Sequence, residues 1–120
     1  MINRQDDISS LLPLREPTFL ILLSLADGEK HGYAILKDVS EISHGNVTMS
    51  TGTLYEALSR LLEQGIIERA ANQPPSAAEN YPGRPRKSYR LTTKGVRVVE
   101  AETMRIQSLV DIAQTRLSRS

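Results

Sequence analysis

The sequence contains no cysteine and no tryptophan, and only one phenylalanine among its 120 residues. Without cysteine the chain can form neither a disulfide nor a thiolate metal site. Its two histidines, His31 and His44, are too few to hold zinc by themselves. We therefore expect no metal and no cofactor. The length suits one domain and is short for a barrel or a doubly wound enzyme fold.

Long hydrophobic runs are absent as well. The longest apolar stretch, from Phe19 to Leu25, is interrupted by Ser24 and is far too short to span a bilayer. The first 15 residues include Asp6 and Asp7 and lack the apolar core of a signal peptide. These absences favour a cytoplasmic protein with no membrane partner.

Signs of catalysis are missing too. The glycines are isolated instead of being grouped into a phosphate-binding loop, and no serine lies in a nucleophile elbow. No spacing of histidine, carboxylate and nucleophile points to a catalytic triad. We expect that the protein is not an enzyme.

Hydrophobic periodicity predicts three helices in the first half of the chain. The first begins near Pro17 and is apolar on nearly all sides until the turn signal Asp27-Gly28. The second runs from His31 to Ile42, with apolar residues at helical spacing. The third runs from Ser50, a good N-cap, to Gln64, and Gly65 is of the type that ends helices.

Two short strands follow, separated by a proline-rich segment. The first strand is predicted from Ile66 to Ala70. The second runs from Lys87 to Thr92, where alternation places Tyr89 and Leu91 on a buried face and Ser88 and Arg90 on the other. Residues 71–86 contain four of the six prolines and indicate an exposed, mobile loop. The strands and the loop predict a long β-hairpin.

One long helix is predicted from Thr93 to about Leu117. Apolar residues on one side of it recur in steps of three and four, the spacing of a coiled-coil-like seam. The seam consists of Val96, Val99, Ile106, Val110, Ala113 and Leu117, with Thr103 as the polar exception. A helix of about 25 residues is roughly 37 Å long, more than so small a domain can cover. We expect the seam to bind a second copy of the chain; the alternative is packing within its own subunit.

The order of these elements is that of a winged helix-turn-helix domain. The predicted fold is therefore mainly α with a two-stranded β-hairpin. Residues 1–92 form the DNA-binding domain with an N-terminal arm, and residues 93–120 form a C-terminal dimerisation helix. In this plan the third helix enters a DNA major groove and the hairpin loop is the wing.

The residues best suited to contact DNA lie at the start of the third helix, at Arg60 and in the wing. Hydroxyl groups and a helix N-terminus suit phosphates, and a glycine allows close backbone approach. Glu56 and Glu63, by contrast, would repel phosphates. Tyr55 is equally consistent with packing against the neighbouring helix, and Tyr33 is expected in the core. The candidates are Ser50, Thr51, Gly52, Thr53, Tyr55, Arg60, Arg84, Arg86 and Lys87.

The small net charge of +1 conceals an uneven distribution. Residues 81–99 carry six basic side chains and no acidic one, which leaves a charge of −5 on the rest of the chain. Cations on a wing can follow the DNA backbone or enter the minor groove. The alternative is a basic face that is only solvated.

Several short stretches, taken in order, form a specific pattern. They are residues 17–28, His31-Gly32-Tyr33-Ala34-Ile35, Gly52-Thr53-Leu54-Tyr55 with Leu58, Leu61 and Gly65, Gly83-Arg84-Pro85-Arg86-Lys87, Tyr89-Arg90-Leu91-Thr92 and Lys94-Gly95. This pattern resembles that of the PadR family of transcriptional regulators over about residues 12–100. The resemblance implies a homodimeric winged-helix repressor of a double-stranded DNA operator, dimerised by its C-terminal helix.

Some relatives respond to small aromatic or drug-like effectors, and the single helix after Thr92 is similar to the smaller subtype of the family. Glu56 and Ser88 depart from the family pattern, which often has proline and an aromatic residue there.

A different class of function fits the same fold. A winged helix can bind another protein instead of DNA, because a fold does not determine function. The modest net charge and the acidic residues Glu56 and Glu63 on the outward face of the third helix favour this alternative.

Overall fold

The computed structural model describes residues 8–70 and 87–119. Within them the helices are α1 (Glu16–Leu25), α2 (Gly32–Ile42), α3 (Thr51–Glu63) and α4 (Thr93–Ser118), and the strands are β1 (Lys30–His31), β2 (Ile67–Arg69) and β3 (Ser88–Leu91). This order confirms the predicted, mainly helical winged-helix architecture. The start of the N-terminal arm and the predicted loop at residues 71–86 lie outside the described residues. In the parts that the structure describes, no helix has both the length and the apolar character needed to cross a membrane.

The sheet has one strand more than the sequence predicts. The predicted pairing of β2 with β3 is present, with Ile67 opposite Leu91 in antiparallel register. On its other edge β3 pairs with β1, so β3 is the central strand. A strand of two residues has no periodicity by which to detect it. Because β1 covers this edge, Ser88 is only 4% exposed, and its expected place on an exposed face is wrong.

The hydrophobic core lies between the first three helices and the sheet. The position of α1 explains its sequence, since it packs against α2, α4 and β3 and is therefore apolar nearly all round. The apolar residues of α3 that recur in steps of three and four are buried, as the helical spacing requires. The buried residues of the three helices are Leu20, Ile21, Leu22, Ser24, Leu25, Gly32, Ile35, Val39, Leu54, Ala57, Leu58 and Leu61.

The long helix α4 contacts this core only near its beginning. Val98 is fully buried, and Val99 and Ala101 are partly buried against the core. Gly95 lies so close to the chain after α3 that an added Cβ would overlap the carbonyl oxygen of Ile66. A glycine is therefore required where α4 crosses this segment.

Thr92 connects α4 to the end of α3. Its hydroxyl donates a hydrogen bond to the carbonyl of Gly65 (2.6 Å) and accepts one from the backbone N–H of Gly95 (3.0 Å). Its own N–H donates to the carbonyl of Ile66 at 3.1 Å. Gly65 has a φ of +73°, the left-handed conformation in which many helices end, so its predicted role is confirmed.

Candidate nucleic-acid interface

The start of α3 is capped as the sequence predicts. The Ser50 side chain accepts a hydrogen bond from the backbone N–H of Thr53 at 3.1 Å, and its hydroxyl lies 3.0 Å from that of Thr53. The first turn of α3 has no acidic side chain to offset the positive end of the helix dipole. This end of α3 is therefore electrostatically suited to a phosphate.

The outward face of α3 is exposed along its whole length. Gly52 lies on this face, and an added Cβ there would approach nothing closer than the Ser50 Oγ at 4.0 Å. Packing therefore does not require glycine, which weakens a helix by about 1 kcal/mol relative to alanine. A glycine at this position leaves the helix backbone open to a close partner. The outermost stripe, opposite the buried leucines, consists of Gly52, Glu56, Ser59 and Glu63.

Tyr55 packs against α2 and also reaches the surface. It is 41% exposed, and its hydroxyl oxygen lies 2.6 Å from the position that a Cβ on Gly32 would occupy. Gly32, the first residue of α2, thus leaves room for the ring. Of the two alternatives for Tyr55, the structure shows the packing, while the exposed part of the side chain is accessible to a partner.

Tyr33 does not lie in the core, and that expectation is wrong. It is 84% exposed, because it is on the opposite side of α2 from Ile35, two residues further along. It follows Gly32 directly and so lies at the end of α2 that Tyr55 contacts. The sequence contained a signal for this exposure that we did not use. Residues two positions apart in a helix lie on opposite sides, so a buried Ile35 implies an exposed Tyr33.

Tyr89 in β3 lies close enough to Tyr55 of α3 for the two phenols to influence each other. Burial raises the pKa of the Tyr89 phenol, the neighbouring Tyr55 phenol raises it further, and the charge of Arg69 opposes the shift. Arg69 at the end of β2 and Lys87 just before β3 are both exposed. Arg69 was not among the residues predicted from the sequence, because it lies outside the basic stretch of residues 81–99. The candidates Arg84 and Arg86 lie outside the described residues.

Two cations of the basic stretch are engaged within the protein itself. The Nε of Arg90 lies 2.8 Å from a carboxylate oxygen of Glu68. The ammonium of Lys94 donates to the carbonyl of Gln64 at 2.8 Å. The charge map of residues 81–99 therefore overstates how many cations are available to a nucleic acid.

Arg60 lies on the flank of α3 and not on its outermost stripe. It lines a groove of about 310 Å³ between α3 and the segment leading into α1. Arg15 also lines the groove, together with the apolar residues Leu14, Leu61 and Ile66. Over residues 8–70 and 87–119 there is no group of three or more His, Cys, Asp or Glu side chains that could hold a metal.

Glu102 attaches α4 to the segment before α1. It is 1% exposed, and its Oε2 accepts a hydrogen bond from the backbone N–H of Leu14 at 3.0 Å. The Nε of Arg105 donates to its Oε1 at 2.6 Å. The hydrogen bond from Arg105 lowers the pKa of Glu102 although burial opposes this shift. The buried carboxylate thus accepts three hydrogen bonds, one from Leu14 and two from Arg105.

A known protein family matches the part of the chain that contains most of the helices and the sheet. Residues 21–101 match the family described as "Transcriptional regulator PadR-like family". The chain belongs to the PadR-like family of transcriptional regulators. The matched region contains α2, α3 and the sheet, together with the part of α4 that contacts the core.

The chain is also similar to individual transcriptional regulators. The transcriptional regulator YqjI of Escherichia coli is 36% identical over 52 residues, which are 43% of this chain and a quarter of YqjI. A PadR family regulator from Eggerthella lenta is 28% identical, with a TM-score of 0.61 over 98% of this chain and 97% of that one. Bacillus subtilis PadR, solved in complex with operator DNA, has the same fold with 23% identity and a TM-score of 0.59, over 72% of this chain and 46% of that one.

The second half of α4 in this PadR-like chain presents apolar side chains to solvent. Of the predicted seam, Val99 is partly buried against the core of its own chain and Ile106 is half-buried. Val96, Val110, Ala113 and Leu117 are exposed, Leu117 to 75%. The apolar surface is wider than the seam, since Met104, Leu109 and Ile112 are exposed too.

Proposed function

We propose that this PadR-like regulator is a homodimeric repressor that binds a specific double-stranded DNA operator. The observation that carries the proposal is the open outward face of α3. It combines a capped, acid-free N-terminus with a glycine that the fold does not require. The operator complex of B. subtilis PadR supports the same use of this fold. In this arrangement α3 enters the major groove, and the wing lies along the backbone.

The contacts divide into two groups with different roles. Hydroxyl groups and free backbone N–H groups at the start of α3 bind phosphates and hold the helix in register. The wing cations supply the salt-dependent part of the affinity. We assign the phosphate contacts to Ser50, Thr51, Gly52, Thr53 and Tyr55, and we add the exposed Tyr33. We assign the salt-dependent contacts to Arg84, Arg86 and Lys87 in the wing and to Arg60 on the flank of α3, and we add Arg69.

The dimer is proposed from the exposed apolar side of α4. This helix has 26 residues, corresponding to roughly 39 Å, and contacts the core only near its beginning. Residues 93–120 would form the dimerisation helix and residues 1–92 the DNA-binding domain. Two copies of α3 related by a two-fold axis would read half-sites about one helical turn apart. Such a repressor acts in the cytoplasm.

A gel-shift titration on the DNA upstream of its own gene, over a range of salt concentrations, tests the proposal. We expect binding at low salt that weakens steeply as salt rises. The variant Arg84→Ala/Arg86→Ala should bind more weakly and lower the salt slope by about two. The matched control Arg116→Ala/Arg119→Ala loses the same charge at the far end of α4; with its wild-type mass verified by light scattering, it should bind like the wild type. No shift at low salt would contradict DNA binding, and a shift insensitive to the wing variant would contradict the role assigned to Arg84 and Arg86.

A second candidate function is the binding of another protein. It is favoured by the two carboxylates on the outermost stripe of α3, Glu56 and Glu63, and by the internal engagement of Arg90 and Lys94. A pull-down that recovers one protein at stoichiometric amounts, combined with absent DNA binding, would favour this candidate.

We also propose regulation by a small aromatic or drug-like effector, which the family resemblance implies for some relatives. The groove beside Arg60 is within the usual size range of ligand pockets, at about 310 Å³, and its apolar lining includes Leu14 and Leu61. An effector acts only if it binds the DNA-bound and free states with different affinity. Calorimetry with a panel of aromatic compounds, repeated in the presence of operator DNA, measures both affinities.

A further inference from the structure

We propose that Glu56 is a specificity determinant that selects a cytosine in the major groove. This inference rests on the proposed function, because it requires α3 to enter the groove. It concerns a residue that the phosphate contacts do not use and that phosphates would repel.

The position of Glu56 makes it the side chain nearest to the bases. It lies one turn after Gly52 and directly opposite Leu54 and Leu58, which are buried. The outermost stripe of a recognition helix lies against the floor of the groove, and its N-terminal half contacts base edges. Gly52 has no side chain to hold the helix away from the DNA, so the carboxylate of Glu56 can reach the base edges.

The carboxylate of Glu56 is also unpartnered. None of the four ion pairs in residues 8–70 and 87–119 includes it, whereas Glu68 and Glu102 each bind an arginine. Arg60 follows one turn later but lines the groove on the flank of α3. A free carboxylate on this face lowers affinity for any phosphate backbone. The cost is offset only if the carboxylate gains a hydrogen bond within the groove.

The chemistry of a carboxylate decides which base can supply that bond. A carboxylate has acceptors only, so it is repelled by the O6 and N7 of guanine and the O4 of thymine. Within its own edge, adenine offers its N6 amino group beside the acceptor N7, whereas cytosine offers its N4 amino group beside a C5–H group, which is not an acceptor. Glu56 therefore favours cytosine and rejects the other bases, which produces specificity largely by exclusion.

Selection from a random duplex library with the full-length wild type, Glu56→Gln and Glu63→Gln tests this inference. Glu63 is the matched control, because it lies on the same stripe, is exposed and is roughly 10 Å further along the helix axis. The wild type and Glu63→Gln should enrich a cytosine at the same position of each half-site. Replacing that cytosine should weaken both on the order of tenfold, and Glu56→Gln should lose most of this discrimination. Both variants should bind random duplex more tightly than the wild type, because each loses one negative charge.

The outcomes separate the inference from the proposed function. If the wild type binds no duplex at low salt, both are overturned. If the wild type enriches a motif that Glu56→Gln enriches with equal discrimination, only the inference is overturned. The inference is also overturned if the wild type enriches adenine instead of cytosine at that position. It is overturned as well if Glu63→Gln loses as much discrimination as Glu56→Gln. Circular dichroism of the two variants checks that each exposed substitution preserves the fold.

Discussion

The hydroxyl of Tyr55 occupies the space beside Gly32 that a side chain would otherwise fill, 2.6 Å from the ideal Cβ position. This contact joins the second turn of α3, the proposed recognition helix, to the first residue of α2. It makes the placement of α3 dependent on a glycine in another helix.

Gly32→Ala should therefore destabilise the protein through Tyr55. The Tyr55 ring must move, and overpacking of this kind costs about 1 kcal/mol. Tyr55→Phe removes the closest atom, so the double variant should recover part of the loss. Urea unfolding of the wild type, both single variants and the double variant measures the coupling. Strictly additive losses would show that the two residues do not interact.

Gly95→Ala should have a much larger effect than Gly32→Ala. The overlapping atom at Gly95 is a backbone carbonyl oxygen, which cannot turn aside as a side chain can. We expect a loss of about 3 kcal/mol, or failure to fold. Gly52→Ala is the matched control: open space surrounds it, so it should gain up to about 1 kcal/mol of helix stability while binding DNA more weakly. Equal unfolding midpoints for the wild type and Gly95→Ala would contradict the close approach.

The Glu102 carboxylate should make stability dependent on pH in acid. Its pKa is lowered in the folded state by Arg105, so the unfolded chain binds the proton more readily. The resulting stabilisation is complete above the ordinary glutamate pKa and is lost as pH falls through the lower folded value. Glu102→Gln should remove this part of the pH dependence.

Glu102→Gln should also lose about 1–3 kcal/mol at neutral pH, because a neutral amide replaces a charged acceptor for Leu14 and Arg105. Glu100→Gln, an exposed position on the same helix, is the control. Urea unfolding of the three proteins at pH 7 and about pH 4 gives both quantities. A wild type and a Glu102→Gln variant with parallel pH profiles would rule out this role.

Val110→Asp should dissociate the proposed dimer. Val110 is an exposed apolar residue of the seam, and burying an aspartate in an interface is costly. Ser108→Asp places the same charge on the side of α4 opposite the seam, one turn from Met104 and Ile112, and should keep the wild-type mass if the seam and not the wider apolar surface is the interface. Light scattering gives the masses, and a Val110→Asp variant with the wild-type dimer mass would exclude the seam as the interface.

The features that could be predicted from the sequence are those with a local cause. Ser50 and Gly65 are a cap and a helix end because of their own chemistry, and both are observed. The leucine stripe of α3 follows from helical spacing alone.

What could not be predicted depends on contacts between distant parts of the chain. Ser88 is buried because β1 covers it, and its hydroxyl bonds with Glu29, 59 residues away in the sequence. Arg69 joins the candidate interface only through the sheet. The pairing of Arg90 with Glu68 likewise required the strand register, so a count of charges could not reveal it.

The bonds of Thr92, the buried Val98 and the hydrogen bond of Glu102 with Leu14 attach the first ten residues of α4 to the rest of the domain. A helix of 26 residues extends from this junction as a rigid rod of roughly 39 Å. A rotation of about 5° at its base therefore displaces its far end by roughly 3 Å. In a dimer held together by that far end, the same small rotation changes the separation of the two α3 helices by a comparable distance. In such a dimer, the spacing between half-sites depends on the angle at which α4 leaves its own domain.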